Sequence, residues 1–352
     1  MRIRRFRADE ESSMPLYAQL KQYFITQIRN GVYRPDELLP SIAAIDDQVE
    51  IGRVTIVRAM QELVKDGFAT GIHGKGYYVT QRGAKTLIGI VAPFNSVYMQ
   101  IYVHLAAGVR NAADKLKNEV IIRSSEEEPR IFMQAVDEFV NYRGCKCLVV
   151  VPPMDTHGNI NKGALNRLRN LKKLKDIRYA IIDRVVPSNI FQIRQDRFEG
   201  NMLLIKRAFA KNCRKILFLD KIMNNPNLGG PKLFESIVNE TRDIDPGIKI
   251  DHSITVSLEE DLKLILSGKY DAVFTDDLNA RKIVNMTGVT RPFNIAGYNG
   301  MAAATSINPR ITTVNSNLTE AGQIAVDYLF DKKSRNGNIV NVKPYLMEGE
   351  TF

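Results

Sequence analysis

The pattern of hydrophobic positions changes character near residue 67 and again near residue 86, and those changes divide the chain. From Pro15 onward, Leu16, Leu20, Phe24 and Ile28 recur every four residues and stop at Asn30-Gly31, the spacing and punctuation of one amphipathic helix. After Leu39-Pro40-Ser41, a short segment places Ile42, Ile45 and Val49 on one side, with Ser41 able to cap it. Gly52 opens a further helix over residues 53–66, with Ile56, Ala59, Met60 and Leu63 turned inward and Arg53, Val54, Thr55 and Arg58 turned outward. The helical period then ends. Phe68-Ala69-Thr70 and Tyr77-Tyr78-Val79 flank the glycine-rich stretch Gly71-Ile72-His73-Gly74-Lys75-Gly76, a hairpin pattern. Short helix, break, helix and hairpin predict a winged helix-turn-helix, whose second helix reads the major groove and whose wing borders the minor groove. A phosphate-binding loop is the competing reading of these glycines, but there is no Walker spacing and no helix pattern follows.

Residues 81–86 are short, polar and aperiodic, and read as a linker. Beyond them come continuous apolar runs, LIGIVAP, CLVVVPP, YAIID, KILFLD, DAVFTDD and FNIAGYN, separated mostly by helical segments. Such runs are strands buried on both faces, and their alternation with helices predicts a doubly wound α/β sheet. Ligands of these sheets sit beyond the carboxyl ends of the strands. The candidates are therefore Phe94, Ser96 and Tyr98 after the first run, Asp183 and Arg184 after the third, Asp196 and Arg197 within IFQIRQDRFEG, and Asp276 and Asp277 after DAVFT. Carboxylates and guanidinium forks bridge neighbouring hydroxyls, and aromatic faces cover a sugar's C–H surface, so this is chemistry for a neutral polyol. Taken singly, each residue serves equally well as a cap or a salt-bridge partner; their shared location favours a ligand.

Composition narrows the picture. A chain of 352 residues suits two domains, and 44% hydrophobic with 25% charged residues is ordinary for a soluble protein. The net charge of +10 and pI near 9.4 permit an acidic partner. Residues 1–85 hold only 13 Lys and Arg against 10 Asp and Glu, however, so the DNA expectation rests on motif. Residues 1–14, with four arginines in the first seven positions, read as a flexible basic arm, and the basic run 167–178 as a solvated helix face. Three cysteines without zinc-like spacing read as reduced, buried thiols of a cytoplasmic protein. No run approaches the ~20 apolar residues of a membrane span. The histidines are scattered and no nucleophile, base and orienting group recur in a recognisable spacing, so no metal, no cofactor and no enzymatic activity are expected.

Two resemblances sharpen these expectations. From Pro15 to Val79 the chain resembles the winged-helix domain of the GntR family of bacterial transcription regulators: a PLY opening, G-x-[YL]-x-P before LPS, an R-x-T-[VI] helix, an ELxxxG ending and a GKG[YT][YF]V wing. That likeness implies DNA contacts from Arg53, Thr55, Gly74 and Gly76, with Lys75 as the basic wing residue; Ser41, Arg58 and His73 complete the DNA-facing set. Ile42 and Ala43 depart from the acidic residue and arginine usual after LPS. Residues 87–333 resemble the LacI-type effector domain, which has the periplasmic sugar-binding fold of two lobes about a cleft, through IIDR, QDRFEG, CRKILFL, DAVFTDDLNA, IAGYN and ITTVNSNLTEAGQIAV in order. This implies sugar contacts from Ser96, Tyr98, Asp183, Arg184 and Asp277, with Asn315 where related ribose-binding proteins use an amide. Asp276 replaces the usual Asn.

The expected architecture is thus an N-terminal winged helix-turn-helix joined to a two-lobed, periplasmic-binding-protein-like doubly wound α/β domain. Its divisions are an arm over 1–14, the head over 15–80, the linker over 81–86 and the effector and dimerisation domain over 87–352. The expected function is that of a cytoplasmic regulator of a sugar-utilisation operon, of the arabinose- or fucose-operon type. It would bind a palindromic operator as a homodimer under control of a neutral monosaccharide, L-fucose first. The alternative is a cytoplasmic sugar- or nucleoside-binding receptor with no DNA role.

Overall fold

The computed structural model of the chain describes every residue except 1, 2, 4, 5, 10, 81–85, 95–98, 144, 156, 176, 188, 220–224, 226, 255, 256, 289–292 and 331–338. The head begins with α1 (Leu16–Arg29), which buries Leu20, Phe24, Ile25 and Ile28. Helix α2 (Ile42–Asp46) starts at Ser41, whose hydroxyl accepts the Ala44 N–H at 3.2 Å, the capping expected from LPS. Helix α3 (Arg53–Lys65) buries Ile56, Ala59, Met60 and Leu63, the four positions that its spacing turned inward. The wing is the antiparallel pair β1 (Ala69–Ile72) and β2 (Gly76–Val79). Part of the arm is anchored to this core: Ile3 is buried, its N–H donates to Gln48 Oε1 at 2.8 Å, and Phe6 meets Tyr23 edge-on. The arginine count concealed this, because the anchoring is done by the two apolar residues among the arginines.

The body consists of two six-stranded sheets. The first lobe contains β3 (Leu87–Ala92), β4 (Glu119–Ser124), β5 (Cys147–Val150), β6 (Arg178–Ile182), β7 (Gln192–Gln195) and β13 (Ile339–Val342), in the order β13-β7-β6-β5-β3-β4 and parallel throughout. The second contains β8 (Lys215–Leu219), β9 (Lys249–Ser253), β10 (Ala272–Thr275), β11 (Asn294–Tyr298), β12 (Thr312–Asn315) and the antiparallel edge β14 (Tyr345–Met347), in the order β14-β12-β11-β10-β8-β9. The apolar runs of the sequence became β3, β5, β6, β8, β10 and β11. Strands β4 and β9 lie at sheet edges, where only one neighbour needs matching, and their residues are half-buried rather than continuously apolar.

Helices cover both lobes. In lobe one, α4 (Met99–Lys115) and α12 (Leu318–Phe330) lie on one face of the sheet and α5 (Pro129–Asp137) and α6 (Lys162–Lys175) on the other, with a π-helical turn over Glu138–Tyr142. α4 and α12 approach closely because both contacts are glycines: a Cβ on Gly108 would lie 2.0 Å from Thr319 O, and one on Gly322 2.5 Å from Leu105 O. Lobe two adds α7 (Arg197–Ala210), α8 (Gly230–Ile244), α9 (Leu258–Leu266), α10 (Asp277–Thr287) and the short α11 (Ala302–Thr305). The chain passes between lobes three times, from β7 to α7, from β12 to α12 and from β13 to β14. These crossings place the carboxyl ends of the parallel strands of both sheets at the junction.

Within 167–178, Leu168, Leu171 and Ile177 are buried, Arg167 is ion-paired to Asp137 and Asn170 is exposed, while the side chains of 172–176 lie outside the described residues. The three cysteines are free and buried, with burial pushing the Cys147 thiol up to about 11. Among the described residues, no helix is long and apolar enough to cross a membrane.

Candidate DNA interface and effector cleft

The residues expected to face DNA gather around the N-terminus of α3. Gly52 caps this helix without a side chain, so its first backbone N–H groups and the positive end of its dipole face outward. Arg53 and Val54 are exposed there, Val54 to 84%, and Thr55 is half-buried beside them. Arg58, one turn later, is exposed, and its guanidinium lies 3.9 Å from the ring centre of Tyr17, which fixes its direction. Ser41 is exposed at the start of α2. In the wing, His73, Gly74 and Lys75 form an exposed tip and Gly76 is half-buried. The reversal needs φ of +71° at Gly74 and +101° at Gly76, values that favour glycine. All eight expected residues therefore belong to the turn of α2 and α3 or to the wing.

The cleft is built on Asp183 and Arg184, which follow β6. Arg184 is 2% exposed and nearly all of its fork is engaged. Nε donates to Pro152 O at 2.9 Å, Nη1 to Asp183 O at 3.0 Å and to Tyr102 Oη at 3.4 Å, and Nη2 to Glu127 Oε1 at 2.8 Å. Burial opposes its charge, yet Tyr102, Glu127 and Asp183 together hold its pKa above the ordinary guanidinium value. Asp183 accepts from Arg197 Nη2 at 3.0 Å and lies 3.4 Å from Tyr102 Oη. Phe94, half-buried after β3, meets Tyr102 edge-on. A cavity of about 200 Å³ adjoins this group, lined among others by Asp183, Arg184, Arg194, Arg197, Asn227 and Asn341. The lobes touch across the junction: the Val185 N–H donates to Asn227 Oδ1 at 2.8 Å, and Asn225 Nδ2 lies 4.0 Å from Met154 Sδ.

The remaining expected contacts divide. Ser96 and Tyr98 lie outside the described residues. Asn315 stands at the second crossing, where its Oδ1 accepts the Asn317 N–H at 2.7 Å and Gly300 packs against its amide. Asp196 and Asp276 are helix caps, receiving Glu199 N–H and the N–H groups of Leu278 and Asn279. Tyr102 and Glu127 were not singled out in the sequence. Tyr102 sits among the periodic apolar residues of α4 and reads there as core, and nothing in the acidic run Glu126-Glu127-Glu128 distinguishes the middle residue.

Asp277 is fully buried, with one oxygen accepting the Met301 N–H and the other 2.6 Å from the Thr313 hydroxyl. Burial, incompletely offset by these hydrogen bonds, pushes its pKa up to about 8. An unfolded aspartate ionises near ~4, so between about pH 4 and pH 8 the native chain keeps a proton that the unfolded chain has released. Stability therefore falls as pH rises through that window and levels off above it. Asp277→Asn preserves the bonding of the protonated acid and should remove this dependence. In urea titrations the variant should match wild type near pH 4 and exceed it by at most about 5 kcal/mol at pH 8; a difference independent of pH would show that Asp277 is already ionised in the native chain.

A larger cavity, about 440 Å³, lies where α1 and Phe68 of the head face β4 and the π-helical turn of lobe one. Lys21 pairs there with Asp66 and Glu138 with Arg143, while Nε and Nη1 of Arg29 are buried with no hydrogen-bond partner among the described residues. It lies at the amino end of β4, away from the carboxyl ends of the strands where the expected ligand contacts stand.

Fold and site together define a winged helix-turn-helix carried on a two-lobed periplasmic-binding-protein-like α/β body. Residues 16–79 match the family described as "Bacterial regulatory proteins, gntR family". Over 343 residues the chain is 23% identical to the "Arabinose metabolism transcriptional repressor" of Geobacillus stearothermophilus, a likeness that covers 91% of this chain and 92% of that one. Among solved structures, a periplasmic binding protein/LacI transcriptional regulator from Alkaliphilus metalliredigens, complexed with D-xylulofuranose, aligns with a TM-score of 0.60 at 16% identity, covering 76% of this chain and 99% of that one. A dimeric Lac repressor aligns with a TM-score of 0.59 at 15% identity, covering 75% and 98%. These structural likenesses establish the fold of the body.

Proposed function

We propose that this protein is a cytoplasmic transcription repressor of sugar metabolism, acting by binding rather than catalysis. The observation that carries the reading is the union in one chain of an outward-facing Arg53–Thr55 helix end and basic wing with an inter-lobe cleft built on Asp183 and Arg184. The head supplies cations and free N–H groups to phosphates and base edges, and the exposed methyls of Val54 suit the thymine methyl. The body supplies acid and arginine groups close together, which suits vicinal hydroxyls better than a phosphate.

The protein works as a homodimer on a palindromic operator. One head alone has weak, salt-sensitive affinity, whereas two heads on a symmetric body fix a half-site spacing. A sugar that binds the closed cleft more tightly than the open one shifts the lobes about their three crossings and changes the separation of the heads.

The effector is a neutral monosaccharide. Similarity to a repressor of arabinose metabolism along nearly the whole of both chains supports testing L-arabinose first, ahead of the L-fucose expected from the sequence. The test is the melting temperature against a panel containing L-arabinose, L-fucose, D-xylose, D-ribose and nucleosides. A sugar at ~100 times its Kd stabilises the native chain by about 2.7 kcal/mol, a shift of a few degrees. A response to nucleosides alone would replace the monosaccharide, and no response to any member would contradict a neutral sugar effector.

A further inference from the structure

Resting on the sugar-binding reading, we propose that the loop joining β4 to α5 is a hydroxyl-binding subsite of the cleft, with Glu127 as the acceptor that selects one hydroxyl of the effector. No family motif points to this loop, and the apolar runs did not mark β4, at whose carboxyl end it lies; the geometry does. Glu126 and Glu127 stand in succession at φ of +52° and +61°, a left-handed conformation that side chains other than glycine and asparagine rarely adopt. Consecutive residues held there indicate that surrounding structure imposes the turn, as happens at ligand-holding sites. The turn delivers Glu127 to Arg184: its Oε1 accepts from Arg184 Nη2 at 2.8 Å and from the Met154 N–H at 3.2 Å.

The other carboxylate oxygen, Oε2, is closed off from solvent, and among the described residues no group donates to it. Ser125 Oγ, on the same loop and fully buried, is likewise unpartnered. An ionised oxygen removed from water without a donor is costly, and a chain retains such a cost where a ligand relieves it. Arg184 has the complementary feature. Of its five N–H donors, four make the bonds to Pro152, Tyr102, Asp183 and Glu127. The remaining donor is on Nη2, the nitrogen whose other N–H meets Oε1 of the same carboxylate.

The group that matches both is one that donates and accepts at a single atom, which is a hydroxyl. An ammonium would meet the Arg184 charge, and a carboxylate or phosphate would meet that of Glu127. A sugar hydroxyl that receives the spare Arg184 N–H and donates to Glu127 Oε2 completes both side chains. Because Oε2 is closed off before the ligand arrives, the loop or the lobes must shift to admit that hydroxyl. Occupation of the subsite is thereby tied to the motion of the cleft.

The test compares hydroxyl dependence, because a residue that only props Arg184 would weaken every sugar alike. Kd is measured by calorimetry on the full chain for the panel sugar that binds and for each of its monodeoxy analogues, in wild type and in Glu127→Gln. In wild type, one deoxy position should cost roughly ten- to a hundredfold in affinity. In Glu127→Gln the parent sugar should lose a similar factor, and that deoxy analogue should bind about as well as the parent. Should Glu127→Gln fail to fold, Glu127→Asp, which keeps the charge but withdraws the oxygen, should show the same loss of discrimination. Unchanged discrimination at every position in the variant would overturn the assignment. Failure of all panel sugars to bind wild type would instead remove the sugar reading on which it stands.

Discussion

Replacing Arg184 with alanine should abolish the response to the sugar while leaving operator affinity within a few-fold of wild type. Arg184 is the member of the cleft cluster with the most partners: it ties β5 through Pro152, α4 through Tyr102 and the β4–α5 loop through Glu127 to its own position after β6. Its removal deletes the proposed sugar contact and also leaves the Glu127 carboxylate half-buried without its cation. Breaking such a pair by removing one partner costs about 3–5 kcal/mol, so the melting temperature of the unliganded chain should fall as well. The head has its own core, built around Leu20, Phe24, Ile56 and Met60, and should remain folded. Thermal shift with and without sugar, alongside operator titration, separates the two effects. Loss of operator binding at a temperature where the chain is folded would contradict the division of labour between head and body. Arg184→Lys, which keeps the charge but not the fork, should restore part of the stability and little of the sugar response.

Arg53→Ala should have the opposite signature. Arg53 is exposed at the first position of α3, and its loss costs the core nothing. A lost arginine contact to a base edge costs ~1–3 kcal/mol in each half-site. With both heads affected, operator affinity should fall roughly a hundredfold or more, with melting temperature and sugar-induced stabilisation unchanged. A salt titration adds resolution, since loss of a phosphate contact would lower the salt slope by about one per head while weakening all sequences alike. Normal operator affinity would remove Arg53 from the interface.

The head was legible in the sequence because its signals are local. Four-residue spacing, a serine before α2, Gly52 before α3 and glycines in the wing each act within a few residues, and the structure places them as read. The sheets were legible where a strand is central and apolar on both faces. Edge strands β4 and β9 were not, and nor was β13, which returns from the C-terminal segment to pair with β7 across more than a hundred residues of sequence. Long-range pairing of this kind leaves no local pattern.

The cleft was legible only in part. The position of Asp183 and Arg184 followed from a rule about strand ends, but what surrounds them depends on tertiary packing. Tyr102 reads as a helix core residue until its hydroxyl is seen beside Arg184, and Glu127 reads as one acid among three until its backbone turns left-handed. Asp196 and Asp276, which strand-end logic selected equally, cap α7 and α10, and Asp196 also lines the cavity beside Asp183 and Arg184. A strand end followed by a helix needs a cap in the same place where a ligand would find an acid, and sequence spacing does not separate the two uses.

The central claim is that occupation of the cleft governs the head, and operator affinity with and without sugar tests it most directly. A duplex selected by the protein itself from a random-sequence library would serve as the operator, titrated by fluorescence anisotropy at fixed salt. A sugar that raises the melting temperature should weaken operator binding by roughly 5- to 150-fold, the usual range of allosteric coupling, and by linkage the operator should weaken sugar binding by the same factor. Operator affinity that is identical at zero and saturating sugar, in a protein that demonstrably binds both, would contradict the account.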